Sequence, residues 1–297
     1  MVGKSIHIMS TSNIPGEIGN YRLSRTINKR VMLIIVLSTI LIMLGSITLT
    51  SVTYWKKTPS SISPKTPGTT HTPTSKPTVL STQTTIHAPM LNFPLFNGNT
   101  RIPEIALTFD DGPNPFYTPQ VLAILQQYGV KATFFDVGYL VRDYPNIVRH
   151  EHNQGNIVGN HSWSHPVLTY LSAQAIQSQL ISTTNIIQTT IGVRPTFFRP
   201  PYGATNNTVL AQARNLHYTT VMWDGSAVDW NLPGVNVIVS RTLFYARNGA
   251  ILLFHDGGGN RAQTVAALPI IIATLKSRGF KFVTIQQLVD DLVAPSS

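Results

Sequence analysis

Ile105-Ala106-Leu107-Thr108-Phe109-Asp110-Asp111-Gly112-Pro113 is an apolar run that ends in two adjacent carboxylates and a Gly-Pro turn. Five residues, four of them apolar, stopped by a turn signal read as a buried strand. Similar short runs recur at Ala132–Asp136, Asn156–Asn160, Thr196–Arg199, Thr219–Trp223, Ala250–Phe254 and Lys281–Thr284. Helical stretches lie between them: Thr118 to Gly129, with Thr118 as N-cap and Pro119 at the first helical position, then Asn146–Gln154, Ser172–Thr190, Asn206–Asn215, Val235–Arg247, Gln263–Arg278 and Gln286–Leu292. Repeated β-then-α units imply a parallel sheet of α/β class. No order reversal is visible, so the sheet of about seven strands is expected to close, or nearly close, into a barrel. Polar residues with chemistry fall just after the strand ends, where such barrels build their sites.

Working outward, 42% of the 297 residues are hydrophobic, enough for a sizeable core, and the net charge is +10. Residues 1–85 hold nine Lys/Arg and one acid, net +8, while residues 86–297 hold thirteen Lys/Arg and eleven acids, net +2. The folded part is therefore close to neutral, which removes the nucleic-acid reading that a basic chain otherwise raises. With 0 Cys there is no disulfide framework, zinc finger or thiol nucleophile.

Val31–Trp55 carries no charge, and fifteen of the twenty-two residues Val31–Val52 are Val, Ile, Leu or Met. As a helix, that stretch spans roughly 33 Å, enough for a bilayer core of about 30 Å. Arg22, Arg25, Lys29 and Arg30 precede it, and Tyr54 and Trp55 close it. Residues 31–55 are thus expected to be a single-pass signal anchor, with residues 1–30 a basic cytoplasmic segment and the remainder outside the cell. From Thr58 to Thr78, sixteen of twenty-one residues are Ser, Thr or Pro. Residues 56–100 then form a disordered stalk and connector, and residues 101–297 the catalytic domain.

Asp110 and Asp111, on an extended segment, are expected to point in opposite directions and to do different jobs, although an isolated Asp-Asp-Gly-Pro also suits an Asx-type turn. His161-Ser162-Trp163-Ser164-His165 spaces two imidazoles so that a helical turn brings them to one face. With one Asp they make a two-His, one-carboxylate set. That set suits zinc or non-haem iron equally well. In Arg199-Pro200-Pro201-Tyr202-Gly203 the prolines lack N–H groups, so Tyr202 supplies the first main-chain donor past Arg199, suited to an oxyanion. Asp229-Trp230 and Leu253-Phe254-His255 add a carboxylate, apolar walls and a third histidine. Gly257-Gly258-Gly259 reads as a flexible loop at the rim, His150-Glu151-His152 as part of a helix where i and i+2 diverge and so not as a metal site, and the two Asn-x-Ser/Thr sequons at Asn160 and Asn206 as chance.

Together T-F-D-D, H-S-x-x-H, R-x-P-Y-G, D-W and L-x-H, in this order between Ile102 and about Leu292, resemble the polysaccharide deacetylases, the NodB-homology domain of carbohydrate esterase family four. The resemblance implies an irregular (β/α) barrel that removes acetyl groups from N-acetylated sugars or acetylated xylan, using a divalent metal. It makes Asp110 the general base, oriented by Arg199, and makes Asp111, His161 and His165 the metal ligands. Tyr202 would help hold the oxyanion, His255 would be the general acid, oriented by Asp229, and Trp230 and Leu253 would line the acetyl-methyl pocket. The cation would be zinc, with cobalt, nickel or manganese as alternatives. One departure stands out: Ser226 occupies a place that commonly carries an acid, and tuning rather than loss of activity is expected. The implied function is N-deacetylation of peptidoglycan N-acetylglucosamine or a chitin-like glycan outside the cell. An acetylxylan esterase or small-amide hydrolase is the first alternative, and a surface glycan-binding protein the second. The implied partners are the acetylated glycan and the membrane through residues 31–55, with no nucleic acid and a monomeric catalytic domain.

Overall fold

Strand β1, Glu104–Gly112, carries the run that organises the sheet and is buried along its length apart from the half-buried Asp111. The computed structural model describes residues 90–294. The basic segment 1–30, the apolar stretch Val31–Trp55 and the Ser/Thr/Pro-rich stretch Thr58–Thr78 lie outside the described residues. Among the described residues no helix is long and apolar enough to cross a membrane.

The other strands are β2 Thr133–Asp136, β3 Ile157–Asn160, β4 Phe197–Phe198, β5 Thr219–Thr220, β6 Gly225–Ser226, β7 Ala250–His255 and β8 Lys281–Val283. They pair in parallel in the order β5-β4-β3-β2-β1-β7-β6. The expected strand Thr219–Trp223 is only the short β5, and a further short strand, β6, follows it. The last strand also departs from a regular barrel. Ile105 and Ala106 pair with β7 and with β8, whereas Thr108 to Asp110 pair with β7 and β2. Hence β8 shares with β2 one edge of β1 and takes its lower half. The result is a curled half-barrel in which β5 and β6 are not neighbours.

Helices α1 Thr118–Tyr128, α2 Gly138–Asp143, α3 Pro145–Asn153, α4 Ala173–Ile191, α5 Asn207–Asn215, α6 Val235–Tyr245, α7 Ala262–Ser277 and α8 Ile285–Val293 cover the sheet. The short α2 was not evident from sequence, and Pro145 separates it from α3. Thr118 is not the N-cap of α1. Tyr117 takes that place without a side-chain bond, and the Thr118 hydroxyl instead donates to the Asp256 carboxylate.

Alternation along β1 decides which groups enter the barrel. Ile105, Leu107 and Phe109 pack among Val121, Leu125, Phe134, Phe254 and Leu268 on the helix side. Ala106 packs in the interior with Phe135, Phe197, Val221 and Ile251. The same parity carries Thr108 and Asp110 inward. The Phe109 ring lies 5.2 Å from Phe134 and 5.8 Å from Phe254, which braces the end of β1 from outside.

The segment preceding β1 is part of the fold. Leu95 donates its N–H to Thr220 O at 2.8 Å and accepts from Met222 N at 2.7 Å, and Gly98 donates to Gly249 O at 2.8 Å. It therefore runs from β5 to the start of β7. The Leu95 side chain is buried in the interior with Leu288 and Ile251. Truncating a buried leucine costs about 2–5 kcal/mol. Leu95→Ala should lower the unfolding free energy by that amount in guanidinium titration, and a loss near zero would show that the barrel does not rely on this segment.

Candidate active site

Asp110 ends the inward-facing series on β1, and Arg199 follows β4. The guanidinium is fully buried yet all its nitrogens are engaged. Nη1 donates to Asp110 Oδ1 and to Thr108 Oγ1, both at 2.8 Å, Nη2 to Met222 O at 2.9 Å and Nε to Val221 O at 3.3 Å. Its carbon lies 4.3 Å from the Phe135 ring centre and 5.6 Å from that of Trp223. Burial lowers the Arg199 pKa, and the Asp110 charge opposes that shift. Oδ1 of Asp110 is thereby committed, and Oδ2 is left toward the cavity side, 3.8 Å from His161 Nε2.

Asp111 does not simply point the other way along an extended strand. Its φ is 69°, and the β1–β2 register slips between Asp110 and Gly112, so both carboxylates reach one cavity. His161 and His165 converge without a helical turn. Ser162 and His165 have φ of 65° and 57°, and the bend is held by Asn160 Oδ1 on Ser162 N and by Gln179 Oε1 on the Trp163 and Ser164 amides. His161 Nδ1 lies 2.7 Å from Arg199 O, so in the neutral ring it carries the proton and Nε2 offers a lone pair, whereas in the protonated ring Nε2 donates toward Asp111. Asp111 Oδ1 lies 3.0 Å from His165 Nε2 and 3.5 Å from His161 Nε2. One atom from each of the three residues falls within 4.8 Å of the others.

This donor set fits a divalent cation. Apart from the histidines no protein group among the described residues donates a hydrogen bond to Asp111 Oδ1, which is buried. Burial alone would raise the Asp111 pKa, but the hydrogen bonds from His161 and His165 hold it well below the usual carboxylate range. Burial lowers that of His161, and the Asp110 and Asp111 charges more than reverse this. Such a site attracts positive charge.

His255 stands opposite Asp110 across the β1–β7 register. Its Nδ1 and main-chain N–H lie 2.8 and 2.9 Å from the two Asp229 oxygens, and Thr264 Oγ1 donates to Asp229 Oδ2 at 2.8 Å. Asp224 does not stand in for the acid absent at Ser226, because its carboxylate takes Arg247 Nη2 at 2.8 Å and Ile251 N at 3.0 Å. Ser226 Oγ instead accepts from Val228 N at 3.2 Å. Tyr202 has φ 60° and its N–H has no protein acceptor among the described residues. Its ring is edge-on to His165, with centres 4.6 Å apart, as Trp230 is to His255 at 5.3 Å. Asp110, Asp111, His161, His165, Tyr202, Trp230, Leu253 and His255 all line one cavity of about 600 Å³. Arg199 and Asp229 stand behind it as supports.

A family profile described as polysaccharide deacetylase matches residues 97–221. A peptidoglycan-N-acetylglucosamine deacetylase of Bacillus cereus is 40% identical over 187 residues, covering 62% of this chain and 87% of that protein. The crystal structure of the Bc1960 peptidoglycan N-acetylglucosamine deacetylase superposes with a TM-score of 0.64 at 37% identity, over 65% of this chain and 91% of that one. BA3943 of Bacillus anthracis, described as a family four pseudoenzyme, superposes with the same TM-score of 0.64 at 30% identity, over 68% and 70% of the two chains.

Beneath the cavity lie acids that the sequence does not single out. Asp136, Glu151 and Asp256 are fully buried, and Glu151 turns inward from α3. Among the described residues no protein N–H or O–H group donates to the four oxygens of the neighbouring Asp136 and Glu151, so holding protons relieves the repulsion of the two carboxylates. Burial pushes the Asp136 carboxyl up to about 7. Burial and the neighbouring acids push Glu151 and Asp256 well above the usual range. The folded state thus holds protons that the unfolded chain has released, and stability is lost as pH rises from the ordinary carboxylate range to about 7. In chelator, wild-type protein should lose more thermal stability than Glu151→Gln between about pH 5 and about pH 8. Parallel melting curves would contradict protonated buried acids.

Proposed function

Because this chain belongs to the polysaccharide deacetylase family, we propose that it is a metal-dependent hydrolase removing N-acetyl groups from N-acetylglucosamine residues of peptidoglycan or a chitin-like glycan. The observation that carries the reading is the convergence of Asp111, His161 and His165 between an arginine-held carboxylate, Asp110, and a carboxylate-held imidazole, His255, in one cavity. The names of the relatives support the substrate.

When bound at Asp111, His161 and His165, a divalent cation such as zinc polarises an acetamide carbonyl and acidifies water. Asp110, fixed through Oδ1 by Arg199, accepts a proton at Oδ2 as attack proceeds. The Tyr202 N–H, free of protein acceptors, donates to the oxygen that gains charge. Asp229 fixes the His255 ring through Nδ1, and Nε2 delivers a proton to the departing amine, which is otherwise a poor leaving group. Such proton transfer contributes about 10²–10⁴ in rate. Trp230 and Leu253 offer the apolar wall an acetyl methyl requires. Since Asp229 keeps its bonds to His255, Ser226 tunes the site rather than disabling it.

The charge pattern of residues 1–57 supports anchoring through residues 31–55, with the catalytic domain outside the cell. Protease added to intact cells should remove the catalytic domain while leaving a protected N-terminal fragment. Full protection would overturn that topology. Acetate release should be measured on chitin oligomers, peptidoglycan and acetylxylan, alongside elemental analysis for zinc, cobalt, nickel and manganese. Release from the first two is expected. His161→Ala should lose both metal and activity, and Asp110→Asn should keep the metal but lose at least about 10²-fold in kcat. Full activity in either variant would overturn the assignment, and metal without acetate from any substrate would favour a glycan-binding protein.

A further inference from the structure

The turn after β7 carries an inference that rests on the metal-site reading above. Asp111 holds a left-handed backbone that side-chain residues seldom adopt, and something must keep it there. No hydrogen bond outside the two histidines orients its carboxylate among the described residues. Contact does so instead. A Cβ on Gly257 would lie 1.8 Å from Asp111 O, and one on Gly258 would lie 2.4 Å from Asp111 Oδ2. Oδ2 therefore backs onto the turn while Oδ1 faces the histidines.

The turn is not the flexible rim that three successive glycines suggest. Its leading end is tied to β1, since Asp256 N and Gly257 N donate to Asp110 O at 3.2 and 3.4 Å. Arg261 ties its trailing end. Nε donates to Gly257 O at 2.6 Å and Nη1 to Asn260 O at 3.3 Å. The side chain is 3% exposed, and no carboxylate lies within 4 Å of it among the described residues. A buried guanidinium with main-chain partners alone is fit to shape backbone. We propose that Arg261 is a positioning residue that clamps the Gly257–Asn260 turn against Asp111, holding Oδ1 in the geometry a metal ligand requires.

The test measures zinc affinity of the full-length, metal-stripped protein by competition with a chromophoric chelator, together with melting of the metal-free form. Arg261→Met should bind zinc at least about ten-fold more weakly, the scale of lost support behind a metal ligand, and Arg261→Lys should fall between it and wild type. Gly258→Ala, at an exposed position, should weaken binding to a similar degree without unfolding the protein. A purely structural arginine would lower metal-free melting and leave zinc affinity unchanged. Affinities of Arg261→Met and Gly258→Ala within about three-fold of wild type would overturn the proposal, and if Arg261→Met unfolds, the zinc affinity of Arg261→Lys decides. Wild-type protein that binds no zinc would overturn the metal-site reading itself, and this inference with it.

Discussion

One guanidinium, shut off from the surface, sets the terms for the rest of the molecule. Arg199 is fully buried in the half-barrel interior, and a charge in that position is tolerated only when every donor finds an acceptor. Asp110 and Thr108 of β1, together with the carbonyls of Val221 and Met222 beyond β5, meet that demand. Strands far apart in sequence are thereby held at one register. The Arg199 carbonyl also receives His161 Nδ1, so one residue orients both the carboxylate proposed to take a proton and an imidazole proposed to hold a cation. Neutralising it would leave Asp110 charged and unpaired in the interior.

Strain is the second common thread. Asp111, Ser162, His165, Tyr202 and Val228 all have positive φ, and each lies in or beside a strand-end motif. Such residues cost of order 1–3 kcal/mol each and persist only where the surroundings over-determine them. The aromatic stack of Phe109, Phe134 and Phe254, the Gln179 amide and the ties on the β7 turn provide that over-determination. The cavity is a set of unfavourable local conformations supported by a well-packed exterior.

Much of this was legible in sequence because each chemical group follows an apolar run. Parity along Ile105–Asp110 carries Asp110 inward, and the strand-to-motif order alone brings five loops to one rim. What was not legible depends on tertiary contact. Glu151 sits between two histidines on a polar helix, and only the fold turns it toward Asp136. The histidine spacing suggested a helical turn, but left-handed residues make the bend, since Gln179 of α4 supplies the acceptor that a helix would supply from itself. Thr118 has the look of a cap until a buried Asp256 competes for its hydroxyl. The three glycines look slack because the sequence does not reveal that Asp111 lies against them.

The close seating of that glycine turn bears on how the enzyme can diversify. A side chain of any size at residue 257 collides with the backbone of Asp111, so this part of the rim cannot take one without displacing a proposed metal ligand. Side-chain change has more room at Tyr139, in α2, and at Tyr170, after β3, which project with 38% and 87% of their surface exposed. The rim is divided into a half that heredity must keep and a half that it can rewrite.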